Sequence, residues 1–115
     1  MINFACKKID LNEVIRCSLN LTKAEFKILE FFMKNSTKRF ESKEISKLLD
    51  LELSTVQRSL KKMNEKEIIK RSQINLKNAG YTYSYCLCEK KDIKDVIKQT
   101  VNGWMESFEK EIGRW

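Results

Sequence analysis

Phe40-Glu41-Ser42-Lys43-Glu44-Ile45-Ser46-Lys47-Leu48-Leu49 leads through Asp50-Leu51-Glu52-Leu53 into Ser54-Thr55-Val56-Gln57-Arg58-Ser59-Leu60-Lys61-Lys62-Met63. The first segment begins a helix at Glu41 or Ser42 and turns Ile45, Leu48 and Leu49 toward a core, with Ser46 small enough to admit a neighbouring helix. The four-residue link that follows leaves room for a tight turn. In the second segment Ser54 is the expected N-cap, because its hydroxyl oxygen accepts a backbone N–H that the first helical turn leaves unpaired. Val56, Leu60 and Met63 recur at i, i+4 and i+7 and face inward. At about 100° per residue, Arg58 falls almost opposite that stripe. Ser54, Lys61 and Lys62 flank Arg58, and Thr55 and Gln57 lie at the edges. The outward face of this helix therefore carries donors and cations.

Downstream the pattern changes from helical to alternating. Ile68-Ile69-Lys70-Arg71 opens a β-prone run to Leu76, and Tyr81, Tyr83, Tyr85 and Leu87 then alternate with Thr82, Ser84, Cys86 and Cys88. Lys77-Asn78-Ala79-Gly80 between them has turn chemistry, since Asn and Gly both tolerate positive φ. Two short helices with a tight link, the second polar and basic, and a hairpin behind them follow the order of a winged helix-turn-helix. Its recognition helix is expected over 54–66 and its wing over 71–80.

Upstream, Thr22 with Glu25 three residues later reads as a capping box. Phe26, Ile28, Leu29 and Phe32 then fill one face of a helix that ends near Asn35. An earlier helix over 11–18 has Asp10 as its cap and Val14, Ile15 and Leu19 as apolar contacts. The last helix, about 91–113, carries Ile93, Val96, Ile97, Val101, Trp104, Phe108 and Ile112 at steps of three and four. Such a stripe either covers the chain's own core or pairs with a second copy. It continues through large aromatics after a small domain should be covered, so Ile97, Val101, Trp104, Phe108 and Ile112 are expected to form a dimer interface. Gly103 costs that helix about 1 kcal/mol relative to alanine and marks a kink or a close helix contact.

With no proline and three glycines, the chain offers no linker or repeat. The fold class is mainly α (α+β), one domain of 115 residues. It divides into an N-terminal helix over 10–20, a winged-helix core over 21–89 and a C-terminal dimerisation helix over 90–115. Apolar runs fall short of the roughly 18 residues of a membrane span. Lys7 and Lys8 follow the apolar start of the chain rather than precede it, the reverse of a secretory signal. A cytoplasmic protein with no membrane partner is expected.

Charge points to a polyanion. The net charge is +7, and residues 54–80 hold seven cations against Glu65 and Glu67, a balance of +5 in about a quarter of the chain. A helix of this kind fits the major groove of double-stranded DNA. Arg58 suits a guanine, Gln57 an adenine, and Ser54 and Thr55 a base or phosphate at the helix start. Lys61 and Lys62 suit phosphates, and Arg71, Lys77 and Asn78 a wing on the backbone or in the minor groove. Double-stranded RNA fits less well, because its deep, narrow major groove excludes a helix. Catalysis has little support. There is no histidine for a triad or a common catalytic metal site, and Gly80, Gly103 and Gly113 cannot build a phosphate loop. No cofactor, catalytic residue or metal site is expected.

Glu44-Ile45-Ser46-Lys47-Leu48-Leu49, residues 53–63 and Ile68-Ile69-Lys70-Arg71, followed by Tyr81-Thr82-Tyr83-Ser84-Tyr85 and a long helix, resemble the MarR/TrmB-like winged-helix transcriptional regulators of archaea and bacteria. The resemblance implies a homodimer that binds a palindromic operator through this helix and wing, with any small-molecule effector unspecified. The chain departs from the pattern at Asp50, where these families often have glycine, and it has no room for the sugar-binding domain that TrmB proteins often add. Two other readings remain. One is a winged-helix module for protein contacts in the transcription machinery. The other is a thiol- or metal-responsive sensor like the ArsR repressors, suggested by Cys86-x-Cys88. Those two cysteines share a strand face, whereas Cys6 and Cys17 have no matching spacing, so small packing thiols in a reducing compartment are the expected role of all four.

Overall fold

The computed structural model describes residues 2–3, 5–77 and 80–115. In chain order it contains β1 (Ile2–Asn3), β2 (Lys8–Ile9), α1 (Leu11–Ser18), α2 (Lys23–Lys34), α3 (Ser42–Leu49), α4 (Leu53–Glu65), β3 (Ile69–Asn75), β4 (Tyr81–Leu87) and α5 (Lys90–Gly113). Two compact units emerge, Thr22–Lys90 and the pair of segments Met1–Leu21 and Lys91–Trp115. The five helices and the antiparallel hairpin are those expected from the periodicity, in the order of a winged helix-turn-helix.

Within Thr22–Lys90, the apolar stripes of α2, α3 and α4 converge. Ile28, Phe32, Ile45, Val56, Leu60 and Met63 are all 0% exposed, and each buried side chain of this size contributes about 1.5–3 kcal/mol. Ile68, Ile69 and Leu87 close the core from the base of the hairpin. There β3 and β4 pair antiparallel, in register from Ile69↔Leu87 to Asn75↔Tyr81. On the other edge of β4, Phe40 exchanges two backbone hydrogen bonds with Tyr85. The Phe40 N–H donates to the Tyr85 carbonyl at 2.9 Å, and the Tyr85 N–H donates to that of Phe40 at 2.8 Å. The Phe40 ring packs edge-on against Phe31, with centroids 4.7 Å apart. The wing is thereby tied to the segment between α2 and α3, a link that a single residue cannot advertise by periodicity.

Helix ends depend on residues other than glycine. Among the described residues other than glycine, Asn20, Asp50 and Glu67 take positive φ, at 52°, 52° and 61°. After each, the next amide reaches back to a helical carbonyl: Leu21 to Arg16 at 2.9 Å, Leu51 to Ser46 at 3.1 Å and Ile68 to Met63 at 3.0 Å. These are left-handed caps with the 6→1 bond of a Schellman motif. Asp50 thus adopts the conformation that glycine supplies elsewhere, as a short polar side chain permits.

Several local expectations are corrected. The left-handed turn at Asp50 reverses the chain so quickly that α4 starts at Leu53 with Glu52 as N-cap. Ser54 lies inside the first turn, not at its cap. Ser46 has a further role in the turn. Its hydroxyl donates to the Leu51 carbonyl at 2.6 Å and fastens the turn. Leu48 is 61% exposed. It lies about 60° from Ile45 on the side away from Leu49, and a two-turn helix centred on Ile45 leaves it in solvent. At α2 the Thr22 hydroxyl accepts from the Glu25 N–H at 3.2 Å as expected. The Glu25 carboxylate, however, points inward and accepts from Lys66.

In the other unit, β1 and β2 pair antiparallel with Ile2 opposite Ile9. Asp10 caps α1, its carboxylate accepting from the Asn12 N–H at 3.2 Å. In α5, Ile93 is buried and Ile97 is partly covered, while every residue from Val101 onward is exposed. The helix runs without interruption through Gly103, where an added Cβ would meet, among the described residues, no atom within 4 Å beyond its chain neighbours and the nearby helix backbone. No helix of the described residues is long and apolar enough to cross a membrane.

Candidate nucleic-acid interface

With Val56, Ser59, Leu60 and Met63 buried, α4 turns its remaining residues outward. Ser54, Gln57, Arg58, Lys61 and Lys62 are exposed and Thr55 is half-buried. The helix start has no side-chain cap, so the first N–H groups and the positive end of the helix dipole face outward beside Ser54 and Thr55. The two lysines and Arg58 lie on the far side of the helix from its core stripe. A rod about the width of a major groove thus presents hydrogen-bond donors and positive charge, with its apolar side engaged elsewhere.

The hairpin supplies a second cationic element. Arg71 on β3 is exposed and stacks over the Tyr83 ring, its guanidinium carbon 4.3 Å from the ring centroid. Tyr81 packs edge-on against the same ring, with centroids 5.4 Å apart. A hydrogen bond with Tyr81 is the main cause that raises the Tyr83 phenol above its ordinary pKa, burial adds to the rise, and Arg71 opposes it. Lys77 is exposed at the end of the hairpin, and Asn78 lies outside the described residues.

Between helix and hairpin is an open cleft of about 260 Å³. Gln57 from α4 forms one wall, Glu41, Ser42 and Lys43 from the start of α3 form another, and Tyr81, Thr82, Tyr83 and Tyr85 form the third. The cleft brings Gln57 together with the wing, while Arg58, Lys61 and Lys62 are not among its lining residues. Lys43 and the three tyrosines were not singled out as site residues from sequence. The tyrosine alternation was legible, but it read as a strand signal. On the opposite face of the hairpin, Arg39 donates a hydrogen bond to the Ser72 hydroxyl.

Cys6 and Cys17 are exposed, Cys86 and Cys88 are half-buried, and no two are joined in a disulfide. Among the described residues, no group of three Cys, Asp or Glu side chains is placed to hold a metal ion.

Known proteins give this architecture a family. A possible transcriptional regulator from Methanosarcina mazei Go1 is 42% identical, with a TM-score of 0.93 over 100% of this chain and 96% of that one. An uncharacterised protein of Methanocaldococcus jannaschii is 24% identical over 112 residues, 97% of this chain and 83% of its own length. A protein from Enterococcus faecalis V583, assigned to the MarR family of transcriptional regulators, shares 14% identity. Its TM-score is 0.56 over 97% of this chain and 100% of its own, a likeness of fold. Residues 9–107 match the DnaD N-terminal domain. That match spans most of the 115 residues, and the chain therefore belongs to the DnaD N-terminal domain family.

Proposed function

We propose that this protein is a sequence-specific double-stranded DNA-binding regulator of transcription of the MarR-like type, without enzymatic activity, acting in the cytoplasm as a homodimer. The observation that carries the reading is the division of α4 into a fully buried apolar stripe and an exposed face of Ser54, Gln57, Arg58, Lys61 and Lys62. In this reading α4 enters the major groove, where Arg58 and Gln57 contact base edges and Lys61 and Lys62 contact phosphates. The hairpin, through Arg71 and Lys77, tracks the backbone or the minor groove. The name of the Methanosarcina relative points the same way. Val101, Trp104, Phe108 and Ile112, all exposed on α5, supply the apolar face for a second copy. A two-fold dimer presents two α4 helices to a palindromic operator, with half-sites spaced by about 34 Å or a multiple of it.

Selection of bound duplexes from a random pool tests this. Enrichment of a palindrome supports it. Absence of any duplex binding at low salt removes it, since the phosphate contribution is strongest there. A module for protein contacts is the second reading, favoured by the exposure of Ile74, Leu76 and Tyr81 at the outer end of the hairpin. That reading requires a chain with no affinity for duplex DNA.

A further inference from the structure

An arginine on an exposed strand ordinarily samples many rotamers, and fixing it on a ligand costs rotamer entropy. Arg71 is placed differently. It lies on the same face of the hairpin as Tyr83, diagonal to it in the register that pairs Arg71 with Tyr85 and Gln73 with Tyr83. Its guanidinium carbon lies over the ring, 4.3 Å from the centroid. Tyr83 is itself braced by Tyr81, and both rings line the cleft that α4 and the start of α3 enclose. Stacking engages the face of a guanidinium and leaves its N–H donors in the plane of the group, pointing outward. A side chain held in this way keeps all its capacity for a phosphodiester and has less freedom to lose on binding.

We propose that Tyr83 is a positioning residue that holds Arg71 in the conformation in which it grips a DNA phosphodiester. The assignment rests on the DNA-binding reading and goes beyond it by naming a residue that touches no DNA. Tyr81 acts one step further back, as the brace of the ring. The neutral phenol suits this role, because a phenolate would form an ion pair with Arg71 and compete with the phosphate. A tyrosine phenol is neutral near pH 7 in any case, and the hydrogen bond with Tyr81 raises the pKa of Tyr83 further.

The test measures the affinity of the full chain for a duplex selected from the random pool, over a salt series, with four variants. Arg71→Ala lowers affinity and reduces the salt slope by about 1, as loss of one phosphate contact should. Tyr83→Leu lowers affinity about two- to fivefold, the equivalent of an exposed cation–π contact, and leaves the salt slope unchanged. Tyr83→Phe keeps a ring and retains wild-type affinity. In the double variant Arg71→Ala/Tyr83→Leu, the loss equals that of Arg71→Ala alone.

The side chain of Arg71 provides a second readout in the unbound protein. Its methylene protons are shifted upfield by the ring in the wild type and in Tyr83→Phe, and they return to ordinary positions in Tyr83→Leu. This measurement needs no DNA and checks that each variant is folded. If the wild type binds and Tyr83→Leu leaves affinity unchanged, or if the losses from Arg71→Ala and Tyr83→Leu multiply, the positioning role is overturned while the DNA reading stands. If the wild type binds no duplex at low salt, both are overturned.

Discussion

The Nζ of Lys66, just past the last turn of α4, lies 3.3 Å from the carboxylate of Glu25, whose side chain is 2% exposed. The pair joins the end of one helix to the first turn of another across the core of the helix-turn-helix. Glu25 gains in addition from the positive end of α2. Removing Lys66 leaves a buried carboxylate without this partner. A fully enclosed ion loses about 3–5 kcal/mol in that case, but the Lys66 side chain is 30% exposed and water can reach the gap. Lys66→Ala is therefore expected to destabilise by about 1–3 kcal/mol. Replacing both residues with methionine is expected to cost less than Lys66→Ala alone. Urea unfolding of the two variants measures the difference.

Glu67 follows α4 in the left-handed conformation, at φ 61°, without the short side chain that makes Asn20 and Asp50 tolerant of it. That conformation costs a residue with a Cβ about 1–2 kcal/mol, and glycine gives back about 0.5–1 kcal/mol of it in chain entropy. Glu67→Gly is accordingly expected to stabilise by up to about 1 kcal/mol. Asp50→Gly should gain less. Thermal unfolding would contradict this account if Glu67→Gly melted below the wild type.

Most of the architecture was legible because its signals repeat. Val56, Leu60 and Met63 recur at helical spacing and are fully buried, and the alternation through Tyr81, Tyr83 and Tyr85 became β4. What escaped depends on single residues. Asp50, Asn20 and Glu67 end helices by a backbone conformation that no composition reveals, and this displaced the start of α4 from Ser54. Phe40 bridges Tyr85 alone. At the candidate site, the cations of α4 were readable from one helix projection. The Arg71–Tyr83 stack and the cleft need the register of two strands and the placement of α3, which are set by tertiary contacts.

Arg58 and Lys62 are both exposed on α4, yet their losses should differ in kind. Arg58→Ala removes a bidentate base contact in the proposed complex, so it is expected to cost about 1–3 kcal/mol on the preferred duplex and to relax the preference at one position. Lys62→Ala removes charge near a phosphate. It should weaken binding about equally on all sequences and lower the salt slope by about 1. Repeating the random-pool selection with each variant separates the two. Equal loss of preference in both would mean that Arg58 does not read bases.

The phenol of Tyr83 is held above the ordinary tyrosine pKa of 10.0, first by its hydrogen bond with Tyr81 and then by burial. The folded state thus favours the neutral phenol. Its contribution to stability is complete below about pH 10 and is lost as pH rises through the raised folded-state value. An ultraviolet titration should show a phenol that ionises above the ordinary value, absent in Tyr83→Phe. The variant should also lose less stability than the wild type in this alkaline range.

Trp104 and Phe108 lie one helical turn apart on α5, at 46% and 58% exposure, with Val101 and Ile112 continuing the row at 36% and 48%. Large apolar side chains in a continuous exposed row are costly in water and are natural anchors for a partner. In the proposed homodimer that row is covered by the same row of a second copy. Phe108→Asp should then yield a monomer in sedimentation at micromolar concentration and weaken binding to a palindrome far more than to a single half-site. Gly103 sharpens the test. Among the described residues, nothing beyond the adjoining helix backbone and chain neighbours meets a Cβ there, so Gly103→Ala should strengthen the isolated helix by about 0.5–1 kcal/mol. If the two α5 helices approach closely at this glycine, the same substitution weakens the dimer although it favours the helix. A wild-type chain that sediments as a monomer at micromolar concentration would remove the homodimer, and with it the requirement for a palindromic site.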